Sequence, residues 1–294
     1  MKAIISSTLD DKYLFFIPLC VWAWNKIGVD VICFLPKNNF NDLQTRKYLT
    51  AIDCLHSINA KFDIHTFSAP EHKEATYAQC SRLYAACLDL PEDEVLITSD
   101  VDMAVFGDYF DKYCNDGSGL SKMIQIHGTD LVPDNQYPMC YIKADVGQWR
   151  NIMDIHNKTY QQCLDDLLGD IEAEHFRGNF WAKDQETIFN AFKERNIIRG
   201  HIKRAKEGTQ FASKRYDRDD AFLLDRLSQD TIDYHMPRPG YEEKNFEQIM
   251  TVLKYHYPNE DMQWLVDYKN EYCLLLMSEE LEKEKFKILR NDTK

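Results

Sequence analysis

Two carboxylates, Asp100 and Asp102, stand one residue apart at the end of the apolar segment VLITSDVD, residues 95–102. If the backbone stays extended there, side chains two residues apart point the same way and both carboxylates face one point. They repel each other unless a cation lies between them, and hard oxygen ligands of this kind suit Mg²⁺ or Mn²⁺. The spacing also arises by chance in an acidic chain, as at Asp217 and Asp219, and Asp at a strand end often forms a turn. A metal site and a turn are therefore the two interpretations, and the elements around the pair favour the metal.

The chain before the pair alternates between strands and helices. Apolar periodicity predicts strands at residues 2–7, 29–35, 62–67 and 95–98, and helices at residues 12–27, 43–58 and 74–89. This alternation favours an α/β fold with a parallel sheet and helices on both faces. Ligands in open sheets of this kind bind at the carboxyl ends of the strands, which is where Asp100 and Asp102 are expected.

The pattern is less regular after the pair. It predicts strands at residues 122–127 and 138–143, and helices at residues 145–157, 160–175, 184–195 and 259–289. The chain has no internal repeat and no Gly/Ser-rich linker. We therefore predict one α/β domain over residues 1–240, with a helical C-terminal extension over residues 241–294 that packs on the same domain.

Charge and cysteine content narrow the classes of protein. A formal net charge of -13 disfavours nucleic acid as a partner, because binding to phosphate backbones depends on basic side chains. The nine cysteines are odd in number and form no C-x-x-C, which argues against a disulfide framework or a cysteine zinc site. No apolar stretch is long enough to span a bilayer, and acidic residues come too early for a signal peptide. We expect a cytoplasmic protein whose oligomeric state, a homodimer among the options, is left open.

Five short segments occur in a characteristic order. They are STLD at residues 7–10, Arg82, SDVD at residues 99–102, FWAKDQ at residues 180–185 and YHMPRPG at residues 234–240. Together they resemble the glycosyltransferases of the GT-A type, over residues 1 to about 240. The resemblance implies a Rossmann-like, mostly parallel central sheet flanked by helices. It also implies transfer of a sugar from a nucleotide-sugar, such as a UDP-sugar, to a hydroxyl of a glycan or another small acceptor.

In this family a D-x-D motif holds a divalent metal, Mn²⁺ or Mg²⁺, against the diphosphate of the donor. The resemblance implies that Asp100 helps to place the ribose and the metal, and that Asp102 binds the metal directly. His235 resembles a late metal ligand, although a lone histidine is more commonly a surface or core residue. Arg238 belongs to a loop that is similar to one bringing a basic residue to phosphate in this family.

Further residues are implied at the donor site. Thr8, Asp10 and Tyr13 correspond to the region that receives the base and ribose, where Tyr13 either stacks on uracil or packs in the core. Arg82 either contacts the sugar or diphosphate or is a solvated or ion-paired helix residue. Three basic residues either close over the phosphates as a loop or form a solvated patch: Lys214, Arg215 and Arg218.

Asp184 is the carboxylate of interest outside the motif. Its position at a predicted helix start suits an N-cap, and the resemblance implies contact with donor-sugar hydroxyls or action as a general base. A base would imply inversion at the anomeric carbon, whereas a sugar clamp fits retention. Retaining relatives of this family carry Asn-Ser-Gly before the acceptor strand, but this chain has YPMCY at residues 137–141. Three aromatic residues are candidate sugar-stacking platforms or core residues: Tyr137, Trp149 and Trp181.

Three other classes of protein are compatible with parts of the sequence. A phosphatase of the haloacid dehalogenase type would use Asp100 as nucleophile and Asp102 as general acid and base, but its motif normally follows the first strand. A nicotinamide oxidoreductase is disfavoured because residues 6–11 contain no glycine to let a pyrophosphate approach. A sugar-nucleotide-binding protein without catalysis is the non-enzymatic alternative.

Overall fold

The computed structural model describes residues 1–37, 42–70, 73–107, 124–126, 133–170, 182–195, 202–204, 215–220 and 223–291. The strands are β1 (Lys2–Ser6), β2 (Asp30–Pro36), β3 (Phe62–Phe67), β4 (Val95–Thr98), β5 (Met103–Val105), β6 (Ile124–Ile126), β7 (Ile142–Asp145), β8 (Ile202–Arg204), β9 (Arg215–Tyr216) and β10 (Asp233–His235). The α-helices are α1 (Asp11–Leu14), α2 (Ile17–Lys26), α3 (Asp42–Ser57), α4 (Glu74–Ser81), α5 (Val146–Met153), α6 (Tyr160–Leu168), α7 (Lys183–Glu194), α8 (Glu243–His256) and α9 (Gln263–Asn291). Two 3₁₀ helices cover Arg82–Cys87 and Leu223–Arg226.

Seven strands form the central sheet in the order β3-β2-β1-β4-β7-β6-β8. The strands β3, β2, β1 and β4 are parallel to one another, and β7 is antiparallel to both of its neighbours, β4 and β6. The chain winds outwards from β1 to β2 and β3 and then returns to the other side of β1 at β4. The direction of winding therefore reverses between β1 and β4, which is where open sheets form a ligand crevice.

Strand β1 connects the two hydrophobic cores of the molecule. Ala3 and Ile5 belong to the core that contains α2 and the C-terminal helices, whereas Ile4 belongs to the core around the 3₁₀ helix Arg82–Cys87 and α5. Successive side chains of a strand point to opposite faces of its sheet, so one strand supplies both cores. The predicted α/β class, with a mostly parallel sheet flanked by helices and a helical C-terminal region, is confirmed.

Two predicted helices are wrong in their extent. The helix predicted at residues 12–27 is divided into α1 and α2, because Pro18 has no backbone N–H and its ring clashes with the carbonyl of residue 14 in a continuous helix. The helix predicted at residues 74–89 is α4 followed by a 3₁₀ helix. The sequence does not predict helix α8 or the short strands β5, β8, β9 and β10, and β7 lies at Ile142–Asp145 rather than at the predicted residues 138–143.

The C-terminal helices share a core with the start of the chain. Leu265, Tyr268 and Tyr272, which form the apolar stripe expected in this segment, are buried on α9. The ring of Tyr268 stacks on Phe15 at 5.2 Å between centroids. These helices thus share a core with α1 and α2, while the division into a domain over residues 1–240 and an extension stays a prediction. Among the described helices, α9 included, none is both long and apolar enough to cross a bilayer.

Candidate active site

A cleft of about 210 Å³ opens at the switch point of the sheet. Its walls come from the residues after β1, from α4, from the turn after β4, from α7 and from the residues that follow β9 and β10. It contains Asp100, Asp102, Arg82, His235 and Arg238 together. Residues that are far apart in the sequence therefore meet at the carboxyl ends of β1 and β4.

The backbone between β4 and β5 is not extended. The N–H of Met103 donates a hydrogen bond to the carbonyl oxygen of Asp100 at 3.3 Å, which closes a turn over the D-x-D motif. The expectation that both carboxylates face one point because the strand continues is therefore wrong. Asp100 contacts Arg82, whereas Asp102 contacts a separate group of cations.

Asp102 is surrounded by nitrogen atoms. Its Oδ2 accepts a hydrogen bond from Nη1 of Arg218 at 3.0 Å and lies 3.4 Å from both Nε2 of His235 and Nε of Arg238. The carboxylate is only 4% exposed. Burial raises the pKa of Asp102, but His235 and the two arginines outweigh it and hold the pKa at about 2.

A second, smaller sheet brings His235 to the motif. Strand β10 pairs antiparallel with β5, and His235 lies opposite Met103 in that ladder. Beyond the ladder, the N–H of Met236 donates to the carbonyl oxygen of Asp102 at 2.9 Å. The Nδ1 of His235 lies 3.6 Å from Oδ2 of Asp217. Burial lowers the pKa of His235, but Asp102 and Asp217 raise it to about 9.

Arg82 joins the motif to α7. It is 5% exposed, so it is an ion-paired residue rather than a solvated one, and its contact with the donor stays a prediction. Its guanidinium contacts Asp100, donates to the carbonyl oxygen of Ser99 at 2.9 Å and donates to Oδ2 of Asp184 at 2.7 Å. Arg82 begins the 3₁₀ helix that follows α4, which places its side chain beneath the turn after β4. Two carboxylates from distant segments are thus neutralised by one cation.

Asp184 is the second residue of α7, and Ala182 is the N-cap. The N-cap interpretation of Asp184 is therefore wrong. The side chain is 1% exposed, and its Oδ1 accepts from the N–H of Gln185 at 2.8 Å. Burial raises the pKa of Asp184 in spite of the opposing charge of Arg82.

Of the three residues expected near the nucleoside, two line the cleft and one lies outside it. Thr8 and Tyr13 line the cleft, and the guanidinium of Arg238 lies 4.9 Å from the Tyr13 ring centroid and donates to its hydroxyl. Asp10 instead caps α1, accepting from the N–H of Lys12 at 3.0 Å, and does not line the cleft.

Two of the three basic residues expected to close over the phosphates also lie in different places. Arg218 lines the cleft, whereas Arg215 is buried outside it with two hydrogen bonds to Asp233, at 2.9 and 2.8 Å. Lys214 and Trp181 lie outside the described residues. Tyr137 and Trp149 are core residues, so the structure does not bring them to the cleft.

Three cleft-side residues had no role assigned from the sequence: Gln79, Gln185 and Asp217. The Oε1 of Gln185 is buried and has no hydrogen-bond partner among the described residues. Its place directly after Asp184 in FWAKDQ was a usable signal. Asp217 had been set aside as part of a chance D-x-D spacing, because its contact with His235 exists only in the folded chain.

The donor atoms suit a divalent cation that also binds phosphate. Among the described residues no set of three His, Cys, Asp or Glu side chains forms a complete metal site. Asp102 and His235 do supply a carboxylate oxygen and an imidazole nitrogen 3.4 Å apart, with Asp100 in the same cleft. Mg²⁺ and Mn²⁺ are commonly held by one or two carboxylates plus substrate phosphates. The residues therefore fit such a cation when a diphosphate completes its coordination.

No protein-family model and no curated protein matches the chain. Solved structures similar to it include the following three. The galactosyltransferase LgtC, in complex with donor and acceptor sugar analogues, is 10% identical, with 90% of this chain and 99% of that chain covered and a TM-score of 0.47. The glycosyltransferase GlyE of Streptococcus pneumoniae TIGR4 is 8% identical, with 92% and 62% covered and a TM-score of 0.44. Mouse xyloside xylosyltransferase 1, in its apo form, is 10% identical, with 80% and 97% covered and a TM-score of 0.40. All three similar structures are glycosyltransferases, the class that the ordered sequence segments resemble.

Proposed function

We propose that this protein is a metal-dependent glycosyltransferase. It moves a sugar from a nucleotide-sugar, a UDP-sugar, to a hydroxyl of a glycan or another small acceptor. The proposal rests on one observation. Two candidate metal ligands, Asp102 and His235, lie in one cleft at the switch point of the sheet, and the same cleft contains three arginines: Arg82, Arg218 and Arg238.

The charges of the cleft suit a cation and a diphosphate bound together. Asp102 and His235 would hold Mn²⁺ or Mg²⁺, and Arg218 and Arg238 would contact the phosphates, since guanidinium groups bind phosphate with charge-assisted hydrogen bonds. The cation would supply Lewis-acid stabilisation of the charge that gathers on the leaving diphosphate. The two arginines would add positive charge at the same place.

Asp184 and Gln185 suit the donor sugar. Oδ2 of Asp184 accepts from Arg82 and Oδ1 accepts from the backbone, so this carboxylate is held in one orientation. Each oxygen keeps one lone pair, which either role would use, a clamp to accept from a sugar hydroxyl and a general base to face the acceptor hydroxyl. The unpartnered Oε1 of Gln185 can accept a further sugar hydroxyl. A clamp in this place fits retention of the anomeric configuration.

The phosphatase alternative is less well supported. The motif follows β4 rather than β1, and a nucleophilic Asp100 would have to attack phosphorus while paired with Arg82. That ion pair favours the charged, positioning role of Asp100 over a nucleophilic one.

A thermal-shift panel tests the proposal. UDP, GDP and ADP are added with and without Mn²⁺, and we expect UDP to raise the melting temperature only when Mn²⁺ is present. Ligand binding stabilises by RT ln(1 + [L]/Kd), or about 2.7 kcal/mol at a hundredfold excess over Kd. Release of UDP from a panel of UDP-sugars then separates an enzyme from a binding protein.

Two results would contradict the proposal. A shift with beryllium fluoride and none with any nucleotide indicates a phosphatase. A shift with UDP and Mn²⁺ but no turnover of any nucleotide-sugar, with a glycan panel as acceptor, indicates a non-catalytic binding protein.

A further inference from the structure

One oxygen of the motif has more donors around it than it has lone pairs. Oδ2 of Asp102 lies within 3.4 Å of nitrogens from Arg218, His235 and Arg238, and Arg218 is the nearest at 3.0 Å. A carboxylate oxygen offers two lone pairs. A divalent cation that binds this oxygen must therefore displace at least one of the three nitrogens.

Two of the three side chains are held by other contacts. His235 belongs to β10 and lies between Asp102 and Asp217. Arg238 stacks over Tyr13 and also donates to its hydroxyl. Both can lose contact with Asp102 and still keep a partner in place.

Arg218 is held differently. It lies between β9 and the 3₁₀ helix Leu223–Arg226, and its hydrogen-bonded partner among the described residues is Asp102. Its side chain is partly exposed and lines the same cleft. Of the three, Arg218 is the one with no second hydrogen-bonded side-chain partner among the described residues, so its pairing depends on Asp102.

We propose that Arg218 is an exchangeable counter-ion of the metal ligand. It neutralises Asp102 until a divalent cation binds, and it then transfers to the diphosphate of the nucleotide. This inference rests on the proposed function. Its consequence is that metal and nucleotide bind cooperatively, because a metal alone breaks the Arg218–Asp102 pair while a diphosphate gives Arg218 a new partner. Linkage requires each ligand to strengthen the other by the same factor.

The test measures binding and needs no catalysis. Mn²⁺ is titrated into EDTA-treated, dialysed protein with electron paramagnetic resonance of free Mn²⁺ as readout, without UDP and with saturating UDP. For R218Q we expect Mn²⁺ alone to bind at least about fivefold more tightly than to wild type. The same variant should bind UDP more weakly in the presence of Mn²⁺, so that the coupling factor falls below that of wild type.

R226Q and R218K are the matched controls. Arg226 lies on the neighbouring 3₁₀ helix, its side chain is 66% exposed and it pairs with Asp220, so R226Q removes the same charge and should leave both affinities unchanged. R218K keeps a cation that can compete for Asp102 and should bind Mn²⁺ alone as wild type does. Melting temperatures without ligand establish that each variant is folded.

The outcomes separate the inference from the function. If R218Q binds Mn²⁺ alone no better than wild type, Arg218 does not compete with the metal and the inference is wrong, although the proposed function stands. If wild type binds neither Mn²⁺ nor UDP with Mn²⁺, the proposed function fails and takes the inference with it.

Discussion

At the scale of single residues, the two aspartates of the motif have different partners. Asp100 contacts Arg82, and Asp102 faces His235, Arg218 and Arg238. The turn closed by Met103 causes this division. A D-x-D spacing thus serves two tasks here, one carboxylate linking the motif to Asp184 through Arg82 and the other meeting the candidate metal ligand His235.

Asp102→Asn tests the residue at the centre of the cleft. We expect the variant to lose the Mn²⁺-dependent stabilisation by UDP, because an amide oxygen is a weaker ligand and no longer balances the surrounding cations. Differential scanning fluorimetry with UDP and Mn²⁺ measures the loss. Asp219→Asn, an exposed residue near Arg218, is the control and should respond as wild type. A normal Mn²⁺-dependent shift in the Asp102 variant would remove this residue from the metal site.

At the scale of elements, a three-stranded sheet completes the cleft. Strands β5, β10 and β9 pair side by side, which carries His235 to the motif and places Arg218 just beyond β9. The residues after β10 are held against α1 and α2 at Gly240, where a side chain has no room. A Cβ added at Gly240 would lie 2.5 Å from the Phe16 ring and 3.1 Å from Phe15.

Gly240→Ala tests how this loop is positioned. The added methyl group must displace buried rings, so we expect a loss of about 1–3 kcal/mol in the free energy of unfolding, as for an overpacked core. We also expect weaker Mn²⁺-dependent binding of UDP, because Arg238 lies on this loop and His235 directly precedes it at the end of β10. Urea unfolding and calorimetry measure the two effects.

The control for this variant is Gly107→Ala. A Cβ at Gly107 has no neighbour within 4 Å among the described atoms, so this variant should stay within about 0.5 kcal/mol of wild type. Equal stability of the two alanine variants would mean that the loop adapts and that Gly240 does not position it.

At the scale of the whole molecule, helix α8 packs against the small sheet that carries His235. Helix α8 ends at His256, whose ring stacks on Phe106 at 3.8 Å between centroids with an interplanar angle of 3°. Phe106 follows β5, so this contact joins the extension to the small sheet that carries His235. Burial lowers the pKa of His256 from 6.5 to about 4.

This buried histidine predicts an acid-sensitive fold. The neutral imidazole is favoured in the folded state, so the unfolded chain takes up the proton first as the pH falls below about 6.5. The stability that depends on neutral His256 is thus complete above this pH and is lost between about pH 6.5 and pH 4.

His256→Phe keeps the stacked ring and removes the titration. Its free energy of unfolding, measured with urea at several pH values, should rise relative to wild type as the pH falls from 7 to 4. His156→Phe, at an exposed position, is the matched control. A parallel pH dependence in wild type and the His256 variant would show that another group causes the acid sensitivity.

The sequence by itself determined the alternation of elements and the place of the motif. Strands β3 and β4 occupy the predicted residues, and the carboxylates follow β4, because apolar periodicity and turn residues are local properties of the chain. The four parallel strands β1 to β4 and the buried stripe of α9 follow from the same periodicity.

Only the tertiary structure decided which side chains share the cleft. Arg215 and Arg218 are both basic residues of one segment, yet one pairs with buried Asp233 and the other with Asp102. Strands of two or three residues, such as β9 and β10, are too short to show periodicity and form only when a distant partner such as β5 pairs with them. The meeting of His235 with the motif depends on that pairing, and no local pattern encodes it.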